Sequence, residues 1–357
     1  MDGERSGSST RRRFLGTAAG ATGVALASTV WGAKEAAAAS LPEGAPNTRQ
    51  AAARSFVPGL FRLDLGGKSA GWLWSVEGGH AVSDVVVEKL GPDHLAKKHI
   101  GNPKYEDFTL QFGFGVEKTF FDWISASFTP GATDTRRDGA IHVADFKRNE
   151  RHIREFSQAL ITEIGFPAMD GSSKDPAYMT VKLTPEHTRF TAATGQAPAP
   201  PRPDRQKVWL PSNFRLEIDG LDCTRVNKIE SLTIKQKVTE NAVGQERDPQ
   251  KEPGQIEYPN LVITLAESAA QTFFSWHDDF VIKGNSGDDK EKNGRLLLLS
   301  PDLKTTLLEL ELQHIGIFAV YDVVPPPDPE GNEDNGDAIR RVRFEMYFEK
   351  GIIVRRV

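Results

Sequence analysis

Apolar and polar positions alternate over Phe61-Arg62-Leu63-Asp64-Leu65 and again over Phe214-Arg215-Leu216-Glu217-Ile218. A period of two lines the apolar side chains along one face, so each stretch predicts a half-buried strand with Phe61 and Leu63, or Phe214 and Leu216, facing a core. Similar patterns predict strands over about residues 82–90 and 232–238, 108–112 and 261–265, 140–146 and 295–299, 159–166 and 307–321, and 179–183 and 339–348. The period lengthens to three and four at Phe120, Trp123 and Ile124, and at Phe273, Trp276 and Phe280. That spacing predicts two short helices, about residues 117–126 and 268–280, each with one aromatic face buried under a sheet.

The predicted elements come in pairs. Tyr105 followed by Phe108-Thr109-Leu110 returns as Tyr258 followed by Leu261-Val262-Ile263, and Lys118-Thr119-Phe120-Phe121-Asp122-Trp123 returns as Gln271-Thr272-Phe273-Phe274-Ser275-Trp276. Together with the opening strands, all three pairs share one offset of 153 positions. Three matches in a single register point to an internal duplication. Between the copies, Pro198, Pro200, Pro201 and Pro203 predict an extended, semi-rigid linker. The expected organisation is a mobile polar segment at 40–55, copy one at 56–190, a Pro-rich linker at 191–207 and copy two at 208–357. The fold class expected is mainly β (α+β), a β-sandwich or half-barrel with one short packed helix, built twice.

The first 39 residues read as an address. Thr10-Arg11-Arg12-Arg13-Phe14-Leu15 spells a twin-arginine export motif, carried by Arg11, Arg12, Phe14 and Leu15, ahead of a weakly apolar Ala/Gly-rich stretch and the small-residue run Ala36-Ala37-Ala38-Ala39-Ser40. That route carries proteins already folded in the cytoplasm, so the expected location is periplasmic or extracellular, including the cell surface. No other segment approaches a membrane-spanning length.

Charge and chemistry narrow the function classes. With 38% hydrophobic and 26% charged residues, the 357-residue chain has the apolar content of globular domains. A net charge of −5 without a dense basic stripe argues against binding nucleic acid through charge. Cys223 is the single cysteine, which excludes an internal disulfide or a cysteine zinc site. No phosphate loop, dinucleotide fingerprint, zinc-protease helix or nucleophile elbow occurs. His94 and His99, near Asp93 and with a lysine pair between them, read as surface-loop histidines, and the acidic runs at 285–291 and 328–337 lack calcium-loop spacing. The expectation is therefore no catalytic residue, no metal and no cofactor.

One set of motifs resembles a known family. The pattern Lys-Tyr-x-x-[Phe/Ile]-Thr-Leu-x-x-Gly followed by a short Trp-bearing helix is similar to the phage tail-tube family typified by the T4-like tail tube. The first copy carries it as Lys104, Tyr105, Phe108, Thr109, Leu110 and Gly113, with Trp123 beyond. The second copy is looser: Tyr258 and Trp276 remain, with Glu257 in the lysine position and Glu267 in the glycine position. The tandem arrangement, the export motif and the acidic insertions of the second copy depart from the family. The resemblance implies a structural subunit that pairs with itself in a six-domain ring, from three two-domain chains or six chains, whose rings stack into a hollow tube, with other tail-like components as partners. It also implies that loops at 89–104 and 237–257 bridge subunits through Lys97, Lys98, His99, Glu240, Glu246, Arg247, Asp248 and Lys251, beside the motif residues Lys104, Tyr105 and Tyr258. The alternatives are a subunit of a contractile injection device, or a secreted monomeric binding or hydrolytic protein on a duplicated β-fold.

Overall fold

Strands make up most of what the computed structural model describes, which is residues 58–89, 95–132, 135–199, 209–242, 248–323 and 339–356. The export motif with Arg11, Arg12, Phe14 and Leu15, the segment 40–55, and Glu246 and Arg247 lie outside the described residues. In the first half the order is β1 (Pro58–Leu65), β2 (Lys68–Leu73), β3 (Ser75–Gly78), β4 (Ala81–Glu88), β5 (Lys97–Tyr105), β6 (Phe108–Phe112) and α1 (Lys118–Ser127), then β7 (Arg137–Asp145), β8 (Asn149–Phe166), β9 (Met169–Asp170), β10 (Met179–Thr184) and β11 (His187–Gln196). The second half runs β12 (Phe214–Ile218), β13 (Val226–Ile229), β14 (Leu232–Asn241), β15 (Gln250–Glu257), β16 (Leu261–Ala266), α2 (Gln271–His277), β17 (Lys292–Leu299), β18 (Thr306–Val323) and β19 (Arg341–Arg355). The fold is mainly β, as the alternation predicts.

Two large antiparallel sheets carry the fold. One is ordered β2-β1-β7-β8-β10-β6-β3, with β11 along the first part of β8 and the β14–β15 ribbon along its last part. The other is ordered β12-β17-β18-β19-β16-β13-β9. Each sheet thus takes in a strand from the opposite half of the chain: β14 pairs with β8, and β9 pairs with β13. The β4–β5 ribbon pairs only with itself among the described residues.

Pairing registers recur between the halves. Leu63 opposes Ile141 as Leu216 opposes Leu296, and Leu110 opposes Val181 as Ile263 opposes Phe344. A bulge that sets Lys182 and Leu183 against Glu163 and Ile161 returns where Glu345 and Met346 meet Ala319 and Ile317. Left-handed backbone appears at matching places on the two long strands, Gln158 (φ 49°) and His314 (φ 56°).

Each helix seals one half of the core. Phe120, Trp123 and Ile124 are buried, and the Trp123 indole donates to the Thr135 carbonyl at 2.6 Å. Phe273, Trp276 and Phe280 are buried in the second half, where Phe273 and Phe274 meet the Phe344 ring at 5.1 and 5.5 Å. The second helix is shorter than the pattern predicts: α2 ends at His277, and Phe280 sits in a π-turn over Asp278–Ile282. Leu63 and Leu216 are buried, while Phe61 and Phe214 pack against the core partly exposed.

Three local expectations need correction. Residues 89–104 and 237–257 are not mainly loops, because β5, the end of β14 and β15 run through them. Both faces of these ribbons carry polar residues, so no alternation marks them as strands. The linker does not begin at Thr191, since β11 continues to Gln196 against β8, where strand pairing satisfies the backbone.

Candidate functional site

The structure's most informative site is a junction between strands. Leu232, Thr233, Ile234 and Lys235 of β14 oppose Phe166, Gly165, Ile164 and Glu163 of β8, so a ribbon from the second half completes the first half's sheet. Leu232 and Ile234 are fully buried there, as are Ile164 and Phe166 opposite them. Removing each such side chain from water contributes about 1.5–3 kcal/mol.

Polar contacts lock the ribbon's far end. The Lys251 amide donates to Glu186 Oε1 at 2.7 Å, and its ammonium donates to the Pro185 carbonyl at 2.8 Å. Arg136 Nη2 lies 2.6 Å from Glu252 Oε2 and donates to the Lys251 carbonyl at 2.8 Å. Lys251 is only 7% exposed, so its charge needs these partners. The two halves also meet where α1 touches the final strand, β19. Ser125 Oγ donates to the Ile353 carbonyl at 2.7 Å, Arg355 Nη1 donates to the Val116 carbonyl at 2.9 Å, and the Arg355 guanidinium covers the Phe121 ring at 4.7 Å.

The corresponding margin in the second half is open. Beyond Ile315, where β17 stops pairing, no strand lies along that side of β18 among the described residues. Phe318, Tyr321 and Val323 are exposed on it, Tyr321 by 54%. The β4–β5 ribbon, which takes the place of β14–β15 in the first half, joins neither large sheet among the described residues, and Val85 and Ile100 are 60% and 75% exposed. An isolated two-stranded hairpin is marginal in water, and free strand margins invite pairing.

The residues expected at an interface are divided by this geometry. Lys251 lies at the junction itself, and Glu240 opposes it within the ribbon. Asp248 is partly buried just before β15. Lys97, Lys98 and His99 are exposed on the free β5 ribbon, the last with its imidazole 3.9 Å from Glu88. Lys104 bonds to Asp84 across the same ribbon, which raises its pKa. Tyr105 lies tilted against His187 at 4.9 Å, and Tyr258 packs on Phe348 at 5.4 Å, burial raising its pKa. Arg136, Glu186 and Glu252 are missing from the sequence reading, since no motif marks a lone arginine or a pair of glutamates.

Other chemistry is sparse. The Cys223 thiol is pushed up to about 11, mainly by burial, which keeps it protonated and unreactive. Glu291, His314 and Glu349 each bring a ligand atom within 4.8 Å of the others, with His314 Nδ1 2.9 Å from Glu291 Oε2. The Tyr347 hydroxyl donates to Glu291 Oε1 at 2.7 Å, and its pKa is pushed up to about 12, first by burial and then by that bond. No helix among the described residues is long and apolar enough to cross a membrane, which says nothing about crossing by strands.

No family model matches this chain, and no curated protein sequence does. Among solved structures, the tube-terminating cap of the anti-feeding prophage is similar over 37% of this chain and 88% of its own, at 20% identity and a TM-score of 0.33. The sheath–tube complex of an extracellular contractile injection system is similar over 42% of this chain and 100% of its own, at 19% identity and a TM-score of 0.34. Hcp1 from Flavobacterium johnsoniae is similar over 39% of this chain and 99% of its own, at 16% identity and a TM-score of 0.23. Likeness at this level decides nothing about function.

Proposed function

We propose that this chain is an exported, non-enzymatic structural subunit built from two tandem copies of one tail-tube-like domain, which assembles with copies of itself into rings that stack into a hollow tube. One observation carries the reading: β14 already completes the sheet of the first half from within the chain, while the matching margin on β18 and the matching ribbon β4–β5 are left unpaired among the described residues. A head-to-tail contact of this kind generates a ring when its rotation closes. Closure also removes the exposed margins that make an open sheet prone to uncontrolled pairing. The recurring registers and the repeated bulge support the tandem-copy assignment. The twin-arginine motif supports export to the periplasm or beyond, where other tail-like components would be partners.

Three chains supply the six domains of a ring of this class, and six whole chains are the other stoichiometry. Negative-stain microscopy of the protein lacking residues 1–39 tests the reading directly. Rings or tubes with a central lumen are expected. Uniform particles of single-chain size at every concentration would overturn it.

A further inference from the structure

The intramolecular junction acts as a template, because each of its residues has a counterpart fixed by strand register. On the ribbon, Lys235 opposes Glu257 as Val82 opposes Lys104, and Glu240 opposes Lys251 as Val87 opposes Lys98. Both ribbons also carry a register shift at the same point, between Gln236 and Val238 and between Ser83 and Val85. Lys98 therefore stands where Lys251 stands, and His99 where Glu252 stands. On the receiving sheet, Arg137 opposes Ala159 as Lys292 opposes Ile315, which aligns Arg136 with Glu291. His187 opposes Ser157 as Lys350 opposes Gln313, which aligns Glu186 with Glu349.

At one of these matched places the charges are exchanged, and at the other they repeat. Inside the chain, the receiving sheet offers Arg136 and Glu186 to Lys251 and Glu252. In the second half the receiving sheet offers Glu291 and Glu349, drawn together with His314. The free ribbon offers Lys98 and His99, both exposed. Burial repeats the asymmetry: Ile353 is buried against the α1 region, while its counterpart Phe190 is 65% exposed and Ile282, just beyond α2, is 70% exposed.

We propose that a second copy of this chain docks its β4–β5 ribbon on the open margin of β18, seating Lys98 and His99 against Glu291, His314 and Glu349. The proposal rests on the ring-forming reading above and names its contact. The template sets Gly79, His80, Ala81 and Val82 opposite Asp322, Tyr321, Val320 and Ala319. Phe190 of the arriving copy then covers the end of α2. The exchange of charge also favours one order. A β14–β15 ribbon placed on β18 would bring Glu252 to Glu291, and a β4–β5 ribbon placed on β8 would give Arg136 the His99 imidazole in place of the Glu252 carboxylate, whereas the lysine, Lys251 or Lys98, meets a glutamate on either sheet. A carboxylate clash in the first wrong pairing and a lost ion pair in the second disfavour both, so the first-half ribbon of one chain prefers the second-half sheet of the next.

Sedimentation of the full chain and its variants tests this. In Glu291→Lys/Glu349→Lys, and separately in Lys98→Glu/His99→Glu, the concentration for half-assembly should rise at least about tenfold. Combining all four substitutions in one chain should restore assembly towards wild type. Lys98 and His99 are exposed, so the ribbon variant tests the contact even if the sheet variant fails to fold, with circular dichroism reporting folding. If wild type assembles and the ribbon variant assembles equally well, this contact is wrong while the ring reading stands. If wild type stays a single chain throughout, the ring reading falls and takes the contact with it.

Discussion

Lys251 and the two helix tryptophans show how much single residues decide here. Lys251 is buried with its amide on Glu186 and its ammonium on the Pro185 carbonyl, so Lys251→Ala should lower unfolding stability by about 1–3 kcal/mol in urea titration. An unchanged midpoint would show that the junction's polar lock contributes nothing. The tryptophans differ in their polar atom. The Trp123 indole reaches the Thr135 carbonyl, whereas the buried Trp276 Nε1 has no hydrogen-bond partner. Trp123→Phe should therefore destabilise more than Trp276→Phe, by about 1 kcal/mol, and calorimetry on the two variants checks the order. Asp145 and Asp302 sit in matching turns and hold backbone amides of Lys147 and Asn149, and of Lys304 and Thr305. Hydrogen bonds, led by the Asn149 and Ser300 side chains, keep both carboxyls well below the usual carboxylate range. A carboxyl depressed on folding contributes stability above its unfolded pKa and loses it as pH falls, so melting temperature should drop between about pH 5 and pH 3. The drop should be shallower in Asp302→Asn.

At the scale of elements, the legible parts were those with a period. Strands β1, β6 and β12, and the aromatic faces of both helices, declare themselves because one side is buried and the other is wet. Ribbon β5 does not, because Lys97, Lys98, His99 and Ile100 are exposed in succession, no residue of the strand is buried, and Pro103 interrupts the run. The candidate site was half visible for a related reason. Lys98 and Lys251 stand out as loop charges, but Arg136, Glu186, Glu291 and Glu349 acquire meaning only when strand register sets them across from a ribbon. Ile234 is the apolar centre of that pairing, and Ile234→Ala should cost about 2–5 kcal/mol, visible as a lowered urea midpoint. Amide exchange adds an element-level check: β4–β5 amides should exchange rapidly at dilution and become protected as concentration rises, while β14 amides stay protected throughout.

For the whole molecule, two halves that share pairing registers differ in what covers their long central strand. On β8 the margin is closed by β14 of the same chain, and on β18 the corresponding margin is bare among the described residues. Leaving such a surface open exposes Phe318, Tyr321 and Val323 together with the unpaired backbone of a sheet. On the ring reading proposed above, a chain that supplies one ribbon and one receiving margin is a link that joins head to tail. Sedimentation velocity over a wide concentration range reads this most directly. The account predicts a discrete, closed species whose mass is a whole multiple of the chain, three chains for a six-domain ring, growing at the expense of the single chain as concentration rises. A single-chain species that persists unchanged to the highest concentration, with β4–β5 amides still exchanging freely, would contradict it.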